Sequence, residues 1–367
     1  MTARKKIRYA VVGLGWFAQA AILPAFASAG DNSELTTLVS GDPEKARALG
    51  QQYDVPVVSY DKYADLIRSG NIDAVYIALP NTMHREYTEM AARAGVHVLC
   101  EKPMADSSAD AEQMVEVCQR NNIRLMIAYR LHFEEANLEA IRVVRSGEIG
   151  EARVFHSVFT QQVEGENIRL ERDLGGGPIE DIGIYCINAA RYLFRNEPTE
   201  VMAYAVGFDN DRFSEVPRTV SVQMLFPGDR LAYFVCGFGE GRVSTYQMVG
   251  TQGDLLMKDA YTWRGDITQI VTIDGKSKES TFEQRDQIAP EILYFSDCIL
   301  QGRDPEPSGI EGLIDVRIIE AIRESYTYHR PVKLGKMPSK RRPSLAQEIS
   351  RPAIEQPELV NASPPSE

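Results

Sequence analysis

Three short stretches carry side chains whose types and spacing could do chemistry. In "LCEKPMA" (99–105) an apolar run, Val96 to Cys100, stops at Glu101, Lys102 and Pro103, so a carboxylate and an ammonium stand where a buried strand ends. Charges at such a place either cover the end of a sheet or line a site. In "VVGLGWFAQA" the residues Gly13-Leu14-Gly15-Trp16-Phe17-Ala18 have the G-x-G-x-x-A form. Gly13 lets the chain turn sharply, and Gly15 lets backbone amides approach a pyrophosphate at a helix amino terminus. In "IEDIGIYCINAARYLF" (179–194) Asp181 and Tyr185 are spaced i and i+4 on one helix face, while Glu180 points elsewhere. A lysine, a phenol and carboxylates beside a dinucleotide suit removal of a hydroxyl proton coupled to hydride transfer. A free phenol titrates at about pH 10, so one that works near neutrality needs a cation to favour its ionised form; Lys102 is the candidate.

The elements that must position these groups set the fold class. Strand patterns at 7–13, 34–40, 73–79, 97–100 and 124–129 alternate with helical patterns at 15–28, 43–53, 63–69, 83–95 and 107–121. Apolar strands separated by helices predict a parallel doubly wound sheet, a Rossmann domain over 1–130. From about residue 151 strand patterns follow one another. Val220, Val222, Met224 and Phe226 alternate with more polar neighbours, which predicts a largely antiparallel open sheet with one buried face. With the helix at 179–194 and others near 287–300 and 311–328, residues 131–335 read as an α+β domain. The fold class is α/β: a doubly wound parallel sheet followed by that α+β domain. Residues 336–367, rich in Pro, Ser and charge without apolar period, are expected to be a flexible tail, with Lys340-Arg341-Arg342 solvated on it.

Bulk composition narrows the ligand. The chain has 367 residues, 44% hydrophobic and 25% charged, enough for a sizeable core in two domains. A formal net charge of −12 argues against nucleic acid or an anionic membrane as partner, leaving a small molecule. Cys100, Cys118, Cys186, Cys236 and Cys298 show neither CxxC pairs nor metal-ligand spacing, and read as buried thiols in a reducing cytoplasm. The start, "MTARKKIRYAVVG", runs straight into the glycine loop, so no cleaved leader is expected. No window reaches membrane-spanning length, and a cytoplasmic location is expected. No histidine pair has metal spacing, so no metal is expected.

The end of the second strand, "LVSGDPEKA", bears on the choice of dinucleotide. Asp42 precedes Pro43 and reads as a helix N-cap with proline at the first helical position. No carboxylate stands at the strand tip to repel a 2′-phosphate. Ser40 as donor and Lys45 as cation one turn into the helix favour NADP. Leu79, Pro80, Asn81 and His84 of "LPNTMH" end the next strand and line the same crevice as Glu101 and Lys102; Arg130 follows the strand ending at Tyr129.

In this order, Gly13-Leu14-Gly15, "LPNTMH", "CEKPMA" and "GGGPIEDIGIY" resemble the family of glucose–fructose oxidoreductase and inositol dehydrogenase, from about residue 7 to residue 333. "ALP", "CEKPMA", "LMIAYR", "IRLERDLGGG" and "DIGIY" are most similar to its NADP-dependent aldose oxidoreductase branch. The resemblance implies NADP in the first domain, a sugar substrate, and an open second-domain sheet that faces a partner subunit in a homodimer or homotetramer. It also implies a cis Lys102–Pro103 bond, and places the 2′-phosphate and adenine at Ser40, Lys45 and Tyr60. Many members have a histidine where this sequence has Tyr185. Glucose–fructose oxidoreductase carries a long amino-terminal arm around its nucleotide; this chain starts a few residues before its first strand, so exchangeable NADP is expected as readily as retained NADP.

On these grounds Tyr185 is the expected general base in oxidation and acid in reduction. Lys102 is its activator and a donor to the sugar oxygen, Asp181 orients Lys102 or the substrate, and Glu101 holds Lys102 or contacts the nicotinamide side. The expected activity is hydride transfer between the C1 hydroxyl of an aldose, giving a lactone, and NADP, with or without coupled reduction of a second sugar. An inositol-type ring-hydroxyl dehydrogenase is the second reading; a histidine at 185 and an acid at 40 would suggest it, and both are absent. A non-catalytic sugar or nucleotide sensor is the third, and it would have no need of Lys102, Asp181 and Tyr185.

Overall fold

The structure, a computed structural model, describes residues 5–165, 167–208, 211–338 and 342–365. Of the basic run at 340–342, Lys340 and Arg341 lie outside these residues, as does the start of the chain through Arg4. The chain divides into two compact units. The first comprises Met1–Arg130, Asp286–Leu313 and Ser350–Pro364; the second comprises Leu131–Arg285, Ile314–Ile349 and Pro365–Glu367.

In the first unit β1 (Ile7–Val12), β2 (Ser33–Val39), β3 (Val57–Val58), β4 (Ala74–Ile77), β5 (His97–Cys100) and β6 (Leu125–Ile127) form a six-stranded sheet in the order β3-β2-β1-β4-β5-β6. Every pairing is parallel. All four residues of β4 are buried, as strands covered on both faces require. Helices α1 (Leu23–Ser28), α2 (Pro43–Tyr53), α3 (Tyr63–Arg68), α4 (His84–Arg93) and α5 (Ser108–Arg120) connect the strands. Strand order reverses between β1 and β4, the switch point beside which ligands bind in such sheets.

The second unit carries α6 (Glu135–Ser146), β7 (Ala152–Gln162), α7 (Ile184–Phe194) and β8 (Glu200–Val206). They are followed by β9 (Thr219–Phe226), β10 (Arg230–Gly237), β11 (Gly239–Gly250), β12 (Gly253–Lys258), β13 (Ile267–Ile273) and β14 (Lys276–Phe282). After α8 (Ala289–Gln301) and α9 (Gly309–Tyr328), the short β15 (Val332–Lys333) closes a nine-stranded sheet ordered β14-β13-β12-β11-β7-β10-β9-β8-β15. Its pairings are antiparallel except β7 with β10. The alternation expected in β9 is present: Val220, Val222, Met224 and Phe226 are buried and the residues between them face out. On that outer face Tyr204, Leu225 and Tyr233 remain 58%, 46% and 42% exposed, an apolar surface unusual for a sheet facing water.

Two segments differ from expectation. Helix α8, expected in the second domain, belongs to the first unit. The Tyr9 hydroxyl meets Ser296 Oγ at 2.8 Å, and Asn32 Nδ2 donates to Leu293 O and Asp297 Oδ1, both at 3.0 Å. An amphipathic helix carries no sequence label for the sheet it covers. The carboxy-terminal segment, expected as a flexible tail, is hydrogen-bonded: Arg342 pairs with Glu197, and Arg351 and Val360–Asn361 bond within the first unit. Single polar contacts fix it, and these leave no periodic signal.

Candidate active site

The first unit brings the glycine loop and the β2 tip together. At Gly13 φ is +95°, and a Cβ there would lie 2.4 Å from the Ala78 carbonyl oxygen, so β1 and β4 approach to a distance only glycine allows. Gly15 is exposed, and a Cβ on it would meet open space, the room a phosphate needs. Trp16 and Phe17 follow with ring centroids 6.2 Å apart. The helix expected from residue 15 opens with Trp16 and Phe17 in α-helical conformation and then widens into a π turn, Ala18–Ile22.

At the β2 tip Ser40 is buried, and its Oγ accepts from Asp42 N at 3.2 Å. Asp42 is the N-cap of α2: Oδ1 accepts from Glu44 N at 2.9 Å and Lys45 N at 3.1 Å. The Lys45 amide bond is the main reason its carboxyl titrates below the ordinary range. Lys45 sits in the first turn of α2, and the Tyr60 ring lies against Gly41, 3.2 Å from where a Cβ would be.

The tips of β4 and β5 differ in part from expectation. His84, expected to touch the cofactor, is fully buried, with Nδ1 3.0 Å from Pro103 O and Nε2 2.9 Å from Leu79 O. Each ring nitrogen faces a carbonyl, one from each loop, and the neutral ring has one N–H to donate between them; burial lowers its pKa. Leu79 is buried, while Pro80 and Asn81 are half-exposed. The Lys102–Pro103 bond is cis. Glu101 Oε1 accepts from the Tyr76 hydroxyl at 2.9 Å, and Oε2 from Lys102 N at 3.3 Å. Burial pushes the Glu101 pKa up, and Lys102 opposes that shift. Behind Tyr76 lies a second carboxyl: Glu291 Oε2 is 3.5 Å from the same hydroxyl, and Oε1 is buried without a partner. Burial, reinforced by Glu101, raises the Glu291 pKa well above the ordinary carboxylate range. Arg130, expected at the cofactor, is buried and donates to Gln287.

In the second unit the expected continuous α-helix over 179–194 starts as a π turn, Ile179–Gly183, so the i, i+4 geometry linking Asp181 to Tyr185 is not that of a regular α-helix. The Asp181 carboxylate accepts from Arg169 Nε at 2.7 Å. A Cβ on Gly176 would lie 2.5 Å from Arg169 O, so the glycine run is what lets that arginine's loop close in. Glu180 is buried and paired with Arg323 at 2.7 Å. Tyr185 is half-buried, its ring 5.8 Å from Phe159 and 6.0 Å from Tyr261.

Comparison with known proteins agrees across both units. Residues 7–129 match the oxidoreductase family with an NAD-binding Rossmann fold named GFO/IDH/MocA, and residues 137–256 match the C-terminal domain of the same family. An NADP(+) D-xylose 1-dehydrogenase of Haloarcula marismortui is 35% identical over 89% of this chain and 93% of its own length. The chain belongs to the GFO/IDH/MocA oxidoreductase family. Aldose-aldose oxidoreductase from Caulobacter crescentus, solved with glycerol, superposes with a TM-score of 0.86 at 38% identity, over 90% of this chain and 100% of that one. The 3-ketoreductase KijD10 from Actinomadura kijaniata, solved with NADP and TDP-benzene, gives 0.79 at 26%, over 88% and 98%.

Within this family fold several site residues escaped sequence reading. Tyr76 and Glu291 lie inside apolar runs and read as core. Arg169, next to the glycine run, suits a sugar hydroxyl, a phosphate or a surface ion pair equally by sequence, and only the fold pairs it with Asp181. Among the described residues no group of three His, Cys, Asp or Glu side chains could hold a metal, and no helix is long and apolar enough to cross a membrane.

Proposed function

We propose that the chain is an NADP-dependent sugar oxidoreductase that moves hydride between C1 of an aldose and NADP, giving a lactone in the oxidative direction. The observation that carries this reading is the order of groups along one edge of the first sheet. Ser40 and Asp42 follow β2, Gly13–Gly15 follows β1, Leu79–Asn81 follows β4 and Glu101–Lys102 follows β5, all beside the switch point. The residues suit NADP: open space at Gly15 for the pyrophosphate, Ser40, Lys45 and Tyr60 for the adenosine 2′-phosphate, and an Asp42 carboxylate occupied as a helix cap. Bound NADP would supply the hydride acceptor. Gly13, Leu14, Gly15, Trp16, Phe17, Leu79, Pro80, Asn81, Glu101 and Lys102 complete its contacts in this reading.

For C1 to give up its hydrogen as hydride, the hydroxyl on it must lose its proton. In this reading Tyr185 takes that proton, Lys102 donates to the sugar oxygen, and Glu101 holds the lysine. Asp181, anchored by Arg169, orients the substrate. Similarity to the xylose dehydrogenase and to the aldose-aldose oxidoreductase supports an aldose as substrate. It also keeps coupled reduction of a second sugar within the reading. The exposed apolar face of the second sheet supports a homodimer or homotetramer formed through it, and the composition fits a cytoplasmic protein.

Incubation with a panel of aldoses and either NADP or NAD, read at the reduced-nicotinamide absorbance band, tests this. Reduction of NADP with a pyranose such as xylose or glucose, and a lactone as product, is expected. A product carrying a ketone at a ring carbon would favour the ring-hydroxyl reading, and silence with every sugar would favour a sensor.

A further inference from the structure

The segment after Ser350 crosses the first unit along one line. Arg351 Nε donates to Ser28 O at 3.0 Å, and its guanidinium pairs with Asp31 at 2.6 Å, at the far end of the helix that follows the glycine loop. Nine residues later, at the near end of that helix, Gln19 grips the segment at two points. Its Nε2 donates to Val360 O at 2.9 Å and its Oε1 accepts from Val360 N at 2.8 Å. The same Nε2 donates to Leu14 O of the glycine loop at 2.9 Å. Gln19 is 1% exposed, and a buried amide is tolerated because every bond it needs is made.

The next residue reaches the β2 tip. Asn361 Nδ2 donates to Asp42 Oδ2 at 3.3 Å and to Glu44 Oε2 at 2.8 Å. With Oδ1 accepting from Glu44 N and Lys45 N, both oxygens of Asp42 are engaged. Two carboxylates stand within four residues of Ser40. Uncompensated, they would repel a 2′-phosphate, and Asp42 would be available to accept from ribose hydroxyls, the arrangement that suits NAD.

We propose that residues 358–364 form a strap completing the adenosine end of the cofactor site, and that Asn361 is a specificity residue, engaging Asp42 and Glu44 so that the site accepts the phosphorylated dinucleotide. The inference rests on the NADP reading above. It also gives the chain a means of slowing nucleotide release that lies at its carboxy-terminal end.

The test compares the full chain with Asn361→Asp and with a chain ending at Pro357, by titration with NADP and NAD and by the rate of NADP dissociation. Both variants remove the donor that engages the two carboxylates, so the affinity ratio of NADP over NAD is expected to fall at least about tenfold in each. NAD affinity is held and NADP dissociation quickens. Ratios and rates within about twofold of the full chain, in variants that still melt cooperatively, would make the strap surface packing and overturn the proposal. Tighter NADP binding after truncation would make it a barrier and overturn it too. A full chain that prefers NAD would overturn the NADP reading itself, whereas preference for NADP with unaltered variants would overturn the strap alone.

Discussion

At the scale of single residues, the account rests on the roles proposed for Lys102 and Tyr185. Lys102→Met should cut kcat by at least about a hundredfold, as loss of an acid–base participant does, while NADP affinity stays within a few fold. Tyr185→Phe should do the same. Groups that act together are strongly non-additive, so the double variant should be hardly slower than either single one. Multiplying effects in kcat/KM would separate the two roles. Around this pair, what was legible in the sequence was charge at a strand end. Tyr76 and Glu291 were not, because a phenol inside "DAVYIAL" and a glutamate on an apolar helix look like core until the fold sets the Tyr76 hydroxyl between Glu101 and Glu291.

At the scale of elements, parallel strands buried on both faces announce themselves as apolar runs, and β1, β2, β4 and β5 lie within a residue or two of where the sequence predicts them. The Asp42 cap of α2 was readable from Asp-Pro alone. The π turns at Ala18–Ile22 and Ile179–Gly183, and the unit to which α8 belongs, depend on packing and were not readable. Packing also sets the pH response. His97 Nδ1, at the start of β5, accepts from Arg124 N at 3.0 Å. Burial is the main reason its pKa falls to about 4. An unfolded histidine titrates at about 6.5, so between those values the unfolded chain binds a proton the folded one refuses. Stability from this site is therefore complete above pH 6.5 and declines as pH falls to 4, by at most about 3 kcal/mol given its partial exposure. Urea midpoints measured across that window should fall in the wild type and fall less in His97→Asn, whose carbonyl can replace Nδ1 as acceptor. Equal slopes would remove His97 from the acid response.

At the scale of the whole molecule, the order of a Rossmann domain followed by an α+β domain was legible from alternating and then consecutive strand patterns. The strap was not, since a few side-chain bonds hold it. Apolar side chains on the outer face of the nine-stranded sheet predict self-association. Sedimentation should give a dimer or tetramer, and Leu225→Glu with Tyr233→Glu should shift it toward monomer without loss of fold. A wild-type monomer would refute that.

The central claim is that hydride leaves C1 of an aldose for NADP. Deuterium placed on C1 of the accepted sugar, with the nicotinamide examined by mass spectrometry after turnover, tests it most directly. The account predicts one deuterium in the reduced nicotinamide for each lactone formed. Reduced nicotinamide without deuterium would place the oxidation at another carbon and contradict it.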